Sequence, residues 1–271
     1  MRFVSFNAYR TIGIPNVKYI KPANMFREMD MIKQADIVLF PETWQVPALV
    51  YGLKKTIFPS VETLQIGYSK VETTRALWAI APQVVPYTEI LASTPGNRAK
   101  VLESFPISFV AKENRNSMGR GVFLIRNEEE FYQYAQNNEV LYIQEYLPND
   151  GKDLRICVVG DRIFTAYWRV GTDGEFLHNV ACGGQLCYDF IPQDACELVL
   201  QLAKQLNINH AGFDVMISNG RIYILEINVL FGNQGILARG LSLEEEIYQY
   251  LIRTYLSPYP TAPNSVNKII S

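Results

Sequence analysis

No run in this 271-residue chain is both long and apolar enough to cross a bilayer as a helix, which takes about 20 consecutive apolar residues. A helical membrane protein is therefore not expected. Charge of one sign is lacking too. The chain has 25 Lys and Arg against 27 Asp and Glu, a formal charge of -2, which argues against a dominant nucleic-acid or anionic-membrane surface. Histidine is scarce, and His178 and His210 are too far apart to seed a histidine-rich metal site. Cys157, Cys182, Cys187 and Cys196 form no CxxC pair and sit in or beside apolar segments, so free thiols in a reducing cytoplasm are expected. Met1-Arg2 leads straight into the strand-like FVSFN, with no signal-peptide pattern, and the expected location is cytoplasmic. Several signatures are also missing: a GxxxxGK[ST] loop, a GxGxxG turn from strand to helix, a GxSxG elbow and a kinase HRD–DFG set. These absences disfavour the commonest nucleotide-binding and hydrolase folds.

What is present is a mixture of strands and helices without strict alternation, an α+β pattern. RFVSFN and ADIVLFPE read as buried parallel-type strands, and PANMFREMDMIKQA between them carries Met25, Met29 and Ile32 at helical spacing. The first ~65 residues thus suggest a small α/β unit. Ser69-x-x-Glu72 starts a helix that Pro82 and Pro86 terminate. Strand-like runs follow at 106–112, 121–125, 140–147, 153–160 and 162–170, interrupted by a helix from Asn127 to Gln136. Pro192 opens a helix with one apolar stripe (Ala195, Leu198, Val199, Leu202, Leu206), and Ser242 and Glu245 open the last helix.

The most informative stretch is AGFDVMISNGRIYILEINVLFG, residues 211–232, which reads as two strands around Asn219-Gly220. Side chains alternate faces along a strand. Odd positions are apolar or aromatic, whereas Asp214, Glu226 and Asn228 fall on the even face, together with Ile222 and Ile224. Acids and amides are depleted in strands, and two neighbouring carboxylates repel unless a cation neutralises them. Such oxygen donors suit Mg²⁺; a strand end whose acids merely face water is the competing reading. A two-residue turn with Ser218 paired to Arg221 would put Asp214 opposite Leu225 and on the other side from Glu226. The metal reading instead requires a three-residue loop, Ile217 paired to Arg221, with Asp214 diagonal to Glu226 at about 7–8 Å. A second constellation, FVAKENRNSMGRGVFLI, sets Lys112 at a strand end before a loop with Gly119 and Gly121, where backbone N–H groups can approach phosphate oxygens. A hairpin loop with a surface lysine competes with that reading.

Taken in order, VAK…NSMGRGV…IQEYL…GKDLRICVVGDRI…AGFDVM…LEIN resembles the ATP-grasp superfamily, and within it the RimK-type carboxylate–amine ligases, over roughly Ser69 to Ile236. The resemblance implies an ATP-grasp fold: a small N-terminal α/β domain (1–68), an ATP-grasp module (69–258) and a loosely held tail (259–271). The module would comprise a nucleotide lobe at about 92–146 and a metal and substrate lobe at about 147–258. It further implies that Lys70 and Lys112 reach the ATP phosphates and that a loop with Ser117, Gly119 and Gly121 closes over them. The backbone of Glu145 and Tyr146 would read adenine, and Asp153 would meet the ribose. Asp214, Glu226 and Asn228 would bind Mg²⁺, with Mn²⁺ as an alternative, and Arg155 and Arg169 would flank the γ-phosphate and the activated carboxylate. His178 and Asn179 would be further nucleotide or metal-proximal contacts. The sequence departs from the pattern at Asn116, where glycine is usual, at Leu177 and Cys182, where basic residues are usual, and at Val229, Leu230 and Phe231 after the last metal ligand. The implied activity is ADP-forming C–N ligation of small-molecule or peptide carboxylates and amines, without nucleic acid or membrane partners and with homo-oligomerisation left open. An ATP-grasp small-molecule kinase and a non-catalytic ATP-binding protein are the alternatives.

Overall fold

The computed structural model describes residues 1–114, 121–148, 150–171 and 185–256. The chain opens with four parallel strands, β1 (Phe3–Ser5), β2 (Val17–Tyr19), β3 (Ile37–Leu39) and β4 (Thr56–Phe58), in the order β2-β1-β3-β4. Both β1 and β3 are buried throughout, as strands of a covered parallel sheet should be, with Ser5 the one polar residue among them. The helix expected across PANMFREMDMIKQA is broken. A 3-10 turn at Pro22–Asn24 precedes a six-residue helix α1 (Met29–Gln34). Met25 N donates to Pro22 O, which takes the chain out of the i→i−4 ladder before Met29. Met25 and Ile32 are fully buried all the same.

Helices α2 (Val61–Ile66) and α3 (Lys70–Ile80) lead to a second sheet. It is built from β5 (Thr88–Ala92), β6 (Phe109–Lys112), β7 (Val122–Ile125) and β8 (Val140–Glu145), antiparallel, in the order β5-β8-β6-β7. Helices α4 (Pro95–Ser104) and α5 (Glu128–Asn137) pack on it around Phe105, Phe109 and Phe131. The expected N-caps are present: Ser69 accepts from Glu72 N and Asn127 from Glu130 N.

The third sheet contains β9 (Lys152–Val159), β10 (Arg162–Val170), β11 (Gln185–Cys187), β12 (His210–Ser218) and β13 (Arg221–Asn228), antiparallel, in the order β11-β10-β9-β12-β13. Helix α6 (Gln193–Gln205) covers one face, where Leu154, Ile156, Phe213 and Val215 meet Ala195, Val199 and Leu202. Helices α7 (Gln234–Leu237) and α8 (Leu243–Tyr255) follow β13. On the opposite face, Cys157, Val159, Tyr250 and Leu251 share one core with Phe3, Ile37, Leu39 and Phe58 of the first sheet. At this seam His210 is enclosed by rings, T-shaped to Phe40 and Phe58 and stacked on Phe231 at 4.9 Å. Burial first, then the Arg10 charge, hold its pKa down at about 3.

Candidate active site

The β12–β13 hairpin departs from expectation in its turn and reaches the expected facing of its acids by another route. Asn219-Gly220 is a two-residue turn with φ of 50° and 72°, flanked by Ser218 paired to Arg221. Two successive positive φ values are what a type I′ turn requires, and Asn-Gly is the pair that tolerates them best. The three-residue loop is thus incorrect. The register of this turn runs as far as Val215 opposite Ile224, and then Leu225 bulges out, so that Asp214 pairs directly with Glu226 and Gly212 with Asn228. The bulge reverses the facing of β13. Ile222 and Ile224 pack into the core with Val215, contrary to the alternation read from sequence, and Glu226 is returned to the face of Asp214. The acids are cross-strand neighbours rather than diagonal ones.

Strand pairing carries the site across the sheet. Tyr167, Arg155, Asp214 and Glu226 form one row over four strands, and Arg169 and Asp153 are paired in the adjoining row. Arg155 Nε donates to Asp214 Oδ1 at 2.5 Å, and Arg169 Nη2 lies 3.1 Å from the same oxygen. Both oxygens of Asp153 accept from Arg169, at 2.7 and 2.6 Å. Asn228 Nδ2 donates to Asp214 Oδ2 at 3.2 Å. Burial is the largest single influence on both Asp214 and Arg155 and alone would discharge them. The charges and hydrogen bonds of Arg155 and Arg169 together nevertheless lower the pKa of Asp214, and Asp214, helped by Cys157 and Tyr167, raises that of Arg155. Arg169 is likewise raised against burial, by Asp214 and then Asp153. The cations beside Asp214 are therefore two buried arginines. Gly212 makes room for them, since a Cβ there would lie 2.8 Å from Phe231 Cβ and 2.9 Å from Arg155 Cδ and Nη1.

Lys70, the first residue of α3, points to Glu226 Oε1 at 3.1 Å; its side chain is 4% exposed and that of Glu226 is 25% exposed. Asn114 fixes the start of this helix, accepting from Ser69 Oγ and Val71 N through Oδ1 and from Lys70 N through its carbonyl. Lys112 donates to Gln144 Oε1 at 2.7 Å, and Gln144 donates in turn to Thr88 Oγ1 at 2.8 Å. Among the described residues no carboxylate lies within ion-pair distance of Lys112. Burial pulls its pKa down to about 8, with Glu226 opposing and Lys70 adding to the shift. A buried cation held by a neutral amide is a site prepared for an anion.

Glu145 ends β8, with its N–H donated to Tyr87 O and its side chain accepting from Tyr87 N at 2.6 Å, and Tyr146 beyond it is exposed. Gly121, at φ 72°, closes the base of the β6–β7 hairpin by accepting from Glu113 N. Ser117, Gly119, His178 and Asn179 lie outside the described residues, as do Asn116, Leu177 and Cys182. Sequence reasoning missed Gln144 and Asn114. Gln144 had a signal, a lone amide within the apolar strand VLYIQE; Asn114 had none.

Lys112 on the second sheet, Arg155, Arg169, Asp214, Glu226 and Asn228 on the third, and Lys70 at the start of α3 make up the candidate site. A family model for the RimK-like ATP-grasp domain matches residues 73–251. The chain belongs to the RimK-like ATP-grasp family. Its fold is the α+β ATP-grasp fold expected from the sequence. A probable alpha-L-glutamate ligase 1 of Shewanella baltica is 34% identical over 115 residues, 41% of this chain and 38% of the relative. A probable alpha-L-glutamate ligase of Trichodesmium erythraeum is 31% identical over 152 residues, 52% of this chain and 50% of that protein. The chain thus spans half or less of the length of these relatives. Among solved structures, a RimK domain ATP-grasp protein of Sphaerobacter thermophilus superposes with a TM-score of 0.70 at 12% identity, covering 92% of this chain and 99% of that one. The D-alanine–D-alanine ligase of Bacillus anthracis, complexed with ATP, gives 0.71 at 15% identity, covering 94% and 97%. Membership of the ATP-grasp family implies use of ATP. Among the described residues no helix is long and apolar enough to cross a membrane.

Proposed function

We infer that the protein is an ATP-dependent carboxylate–amine ligase that forms an amide bond through an acylphosphate, with a glutamate-like amino acid or peptide among its substrates. The observation that carries this reading is Lys112, a buried cation with a neutral partner, facing the Arg155–Asp214–Glu226–Lys70 array. The ATP phosphates are the anion that completes the charge balance. In the proposed reaction a substrate carboxylate oxygen attacks the γ-phosphorus and ADP leaves. The amine then attacks the acylphosphate carbonyl, loses a proton and expels phosphate. Phosphoryl transfer of this kind depends on positioning and charge neutralisation more than on covalent participation by the protein. Lys70 and Lys112 supply fixed positive charge for the phosphates, and Arg155 and Arg169, held by Asp214 and Asp153, present theirs to the carboxylate and the transferred group. Glu145, Tyr146 and Gly121 line the proposed nucleotide side.

The donor set fits a magnesium ion, with manganese as the alternative. Asp214, Glu226 and Asn228 offer hard oxygens from adjacent strands, Glu226 is partly open to solvent, and Asp214 Oδ2 is engaged by the Asn228 amide alone among the described residues. When bound, such an ion neutralises charge on the transferring phosphoryl group. The proposed setting is the cytoplasm, in keeping with free Cys157, Cys187 and Cys196.

The test is ADP release screened across pairs of amino acids and short peptides, with mass spectrometry of products and hydroxylamine as a trap. ADP, phosphate, an amide product and a hydroxamate in the trapped reaction are expected. AMP and pyrophosphate would overturn the acylphosphate route, a stable phosphoester would identify a kinase, and ATP binding without turnover of any pair would identify a non-catalytic binder.

A further inference from the structure

A second fixed guanidinium lies outside the array just described. Arg10, in the loop after β1, donates through Nη2 to Phe231 O at 2.7 Å and through Nη1 to Asn233 Oδ1 at 2.9 Å. Both acceptors are neutral, and both belong to the segment that leaves β13 directly after Asn228. The loop carrying Arg10 is itself braced, with Asn7 Oδ1 accepting from Arg10 N and Thr11 Oγ1 bonded to Ser5 Oγ. Among the described residues no carboxylate lies within ion-pair distance of Arg10. Burial, opposed by the more distant Glu244 and by Tyr68, weakens its hold on its proton. A guanidinium fixed on two neutral carbonyl groups keeps N–H donors in a planar fork suited to a carboxylate.

The surroundings of Arg10 are aromatic and open. All C-terminal strand ends of a parallel sheet lie along one edge, the edge at which open α/β sheets bind ligands. Tyr9 follows β1 and Trp44 follows β3 at that edge, and they are 86% and 50% exposed. Tyr68, 41% exposed, is electrostatically coupled to both Arg10 and Glu42. Glu42 Oε2 accepts from Trp44 Nε1 at 2.5 Å and so holds the indole in one orientation. Tyr68 beside this guanidinium, and Trp44 held by the same Glu42 whose charge acts on Tyr68, match a small ligand with one carboxylate and one large apolar side chain.

We propose that Arg10, with Trp44 and Tyr68 as the apolar wall, binds the non-reacting carboxylate of the amine substrate, and that this substrate is an α-amino acid or short peptide with a free carboxylate and an aromatic side chain. The assignment of the ligand as the amine substrate rests on the ligase reading above. The Arg10 anchor on Phe231 and Asn233 sets this carboxylate beside the chain leaving Asn228, while Arg155 and Arg169 serve the carboxylate that is activated.

The test measures binding without turnover. L-Phenylalanine, L-phenylalaninamide and L-alanine are titrated calorimetrically into the full chain with AMP-PNP and Mg²⁺, and into Arg10→Gln, Arg10→Lys and Trp44→Ala. Wild type should bind phenylalanine at least tenfold more tightly than its amide and at least tenfold more tightly than alanine. Arg10→Gln should abolish the preference for acid over amide. Arg10→Lys, which keeps the charge but loses the fork, should keep part of it. Trp44→Ala should reduce only the preference for phenylalanine over alanine. Circular dichroism of each variant separates lost folding from lost binding, and the wild-type ratios need no variant. No binding of phenylalanine, equal binding of acid and amide by wild type, or an acid preference that survives in folded Arg10→Gln would overturn the proposal. Failure of the ligase reading shows separately, as absence of ADP release despite acid-selective binding.

Discussion

Lys112 carries its charge only below about pH 8, because burial destabilises the ammonium and its hydrogen-bond partner is an amide. Since kcat/KM reports the free enzyme, kcat/KM for ATP should fall as pH rises through about 8. Lys112→Gln should lower it and remove that limb of the profile. The same shift acts on stability with the opposite sense. Between about 8 and the unfolded value of 10.5 the native protein binds fewer protons than the unfolded chain, so stability should rise with pH over that window. Glu226→Gln is the complementary test. It removes one of the two carboxylates of the hairpin and the acidic partner of the buried Lys70. Turnover should drop at least ~100-fold and stability by about 1–3 kcal/mol, less than the roughly 3–5 kcal/mol for breaking a fully buried pair, because Glu226 is partly exposed. ADP release and thermal midpoints check both; full activity at limiting Mg²⁺ would remove Glu226 from the site.

At the scale of elements, the hairpin shows what could be read from the chain and what could not. Asp214, Glu226 and Asn228 stood out because oxygen-bearing side chains are rare in strands, and the structure does bring them together. The route between them was not readable. Asn219-Gly220 favours a tight turn whose parity conflicts with the acids' facing, and nothing local in YILEIN marks Leu225 as the extra residue that resolves the conflict. A bulge is fixed by what the whole sheet must align, here Asp214 against both Arg155 and Glu226. The Asp153–Arg169 pairing was hidden for the same reason, since it depends on the register between β9 and β10. Helix starts, by contrast, were readable at Ser69, Asn127 and Ser242 because an N-cap bond spans only three residues. If the bulge aims the carboxylates, deleting Leu225 should leave Asp214 opposite Glu226 and the thermal midpoint within a few degrees. Turnover should still fall about 10- to 100-fold, as the local twist relaxes and the site shifts by a fraction of an ångström to an ångström. Unchanged turnover in a folded deletion variant would show that the bulge only adjusts register.

At the scale of the whole molecule, the first sheet does not stand apart from the third. Phe3, Ile37, Leu39 and Phe58 share a core with Val159, Tyr250 and Leu251, and Ser60 bonds Asn207 O and Asn209 Oδ1. A seam of this kind couples the unfolding of both sides. Phe58→Ala should cost about 3–5 kcal/mol. In denaturant titration it should shift a single transition, with fluorescence and circular dichroism midpoints moving together. Separate transitions for the two sheets would mean that each is stable alone. The short strands of the first sheet, three residues each, gave strong signals only where they are buried throughout, and β2 and β4 went unrecognised because their exposed residues interrupt the run.

His210 gives this seam a spectroscopic signature. Its ring is T-shaped to two phenylalanines and stacked on a third, within the aromatic ring currents, and its low pKa keeps it neutral throughout the physiological range. The chain has only two histidines, so the imidazole region of a proton spectrum is sparse. One set of its resonances belongs to a ring whose chemical shift is displaced by Phe40 and Phe58 from one sheet and Phe231 from the segment beyond the hairpin. That resonance stays still as pH is varied and moves when the two sheets part, a built-in reporter of their docking that needs no attached label.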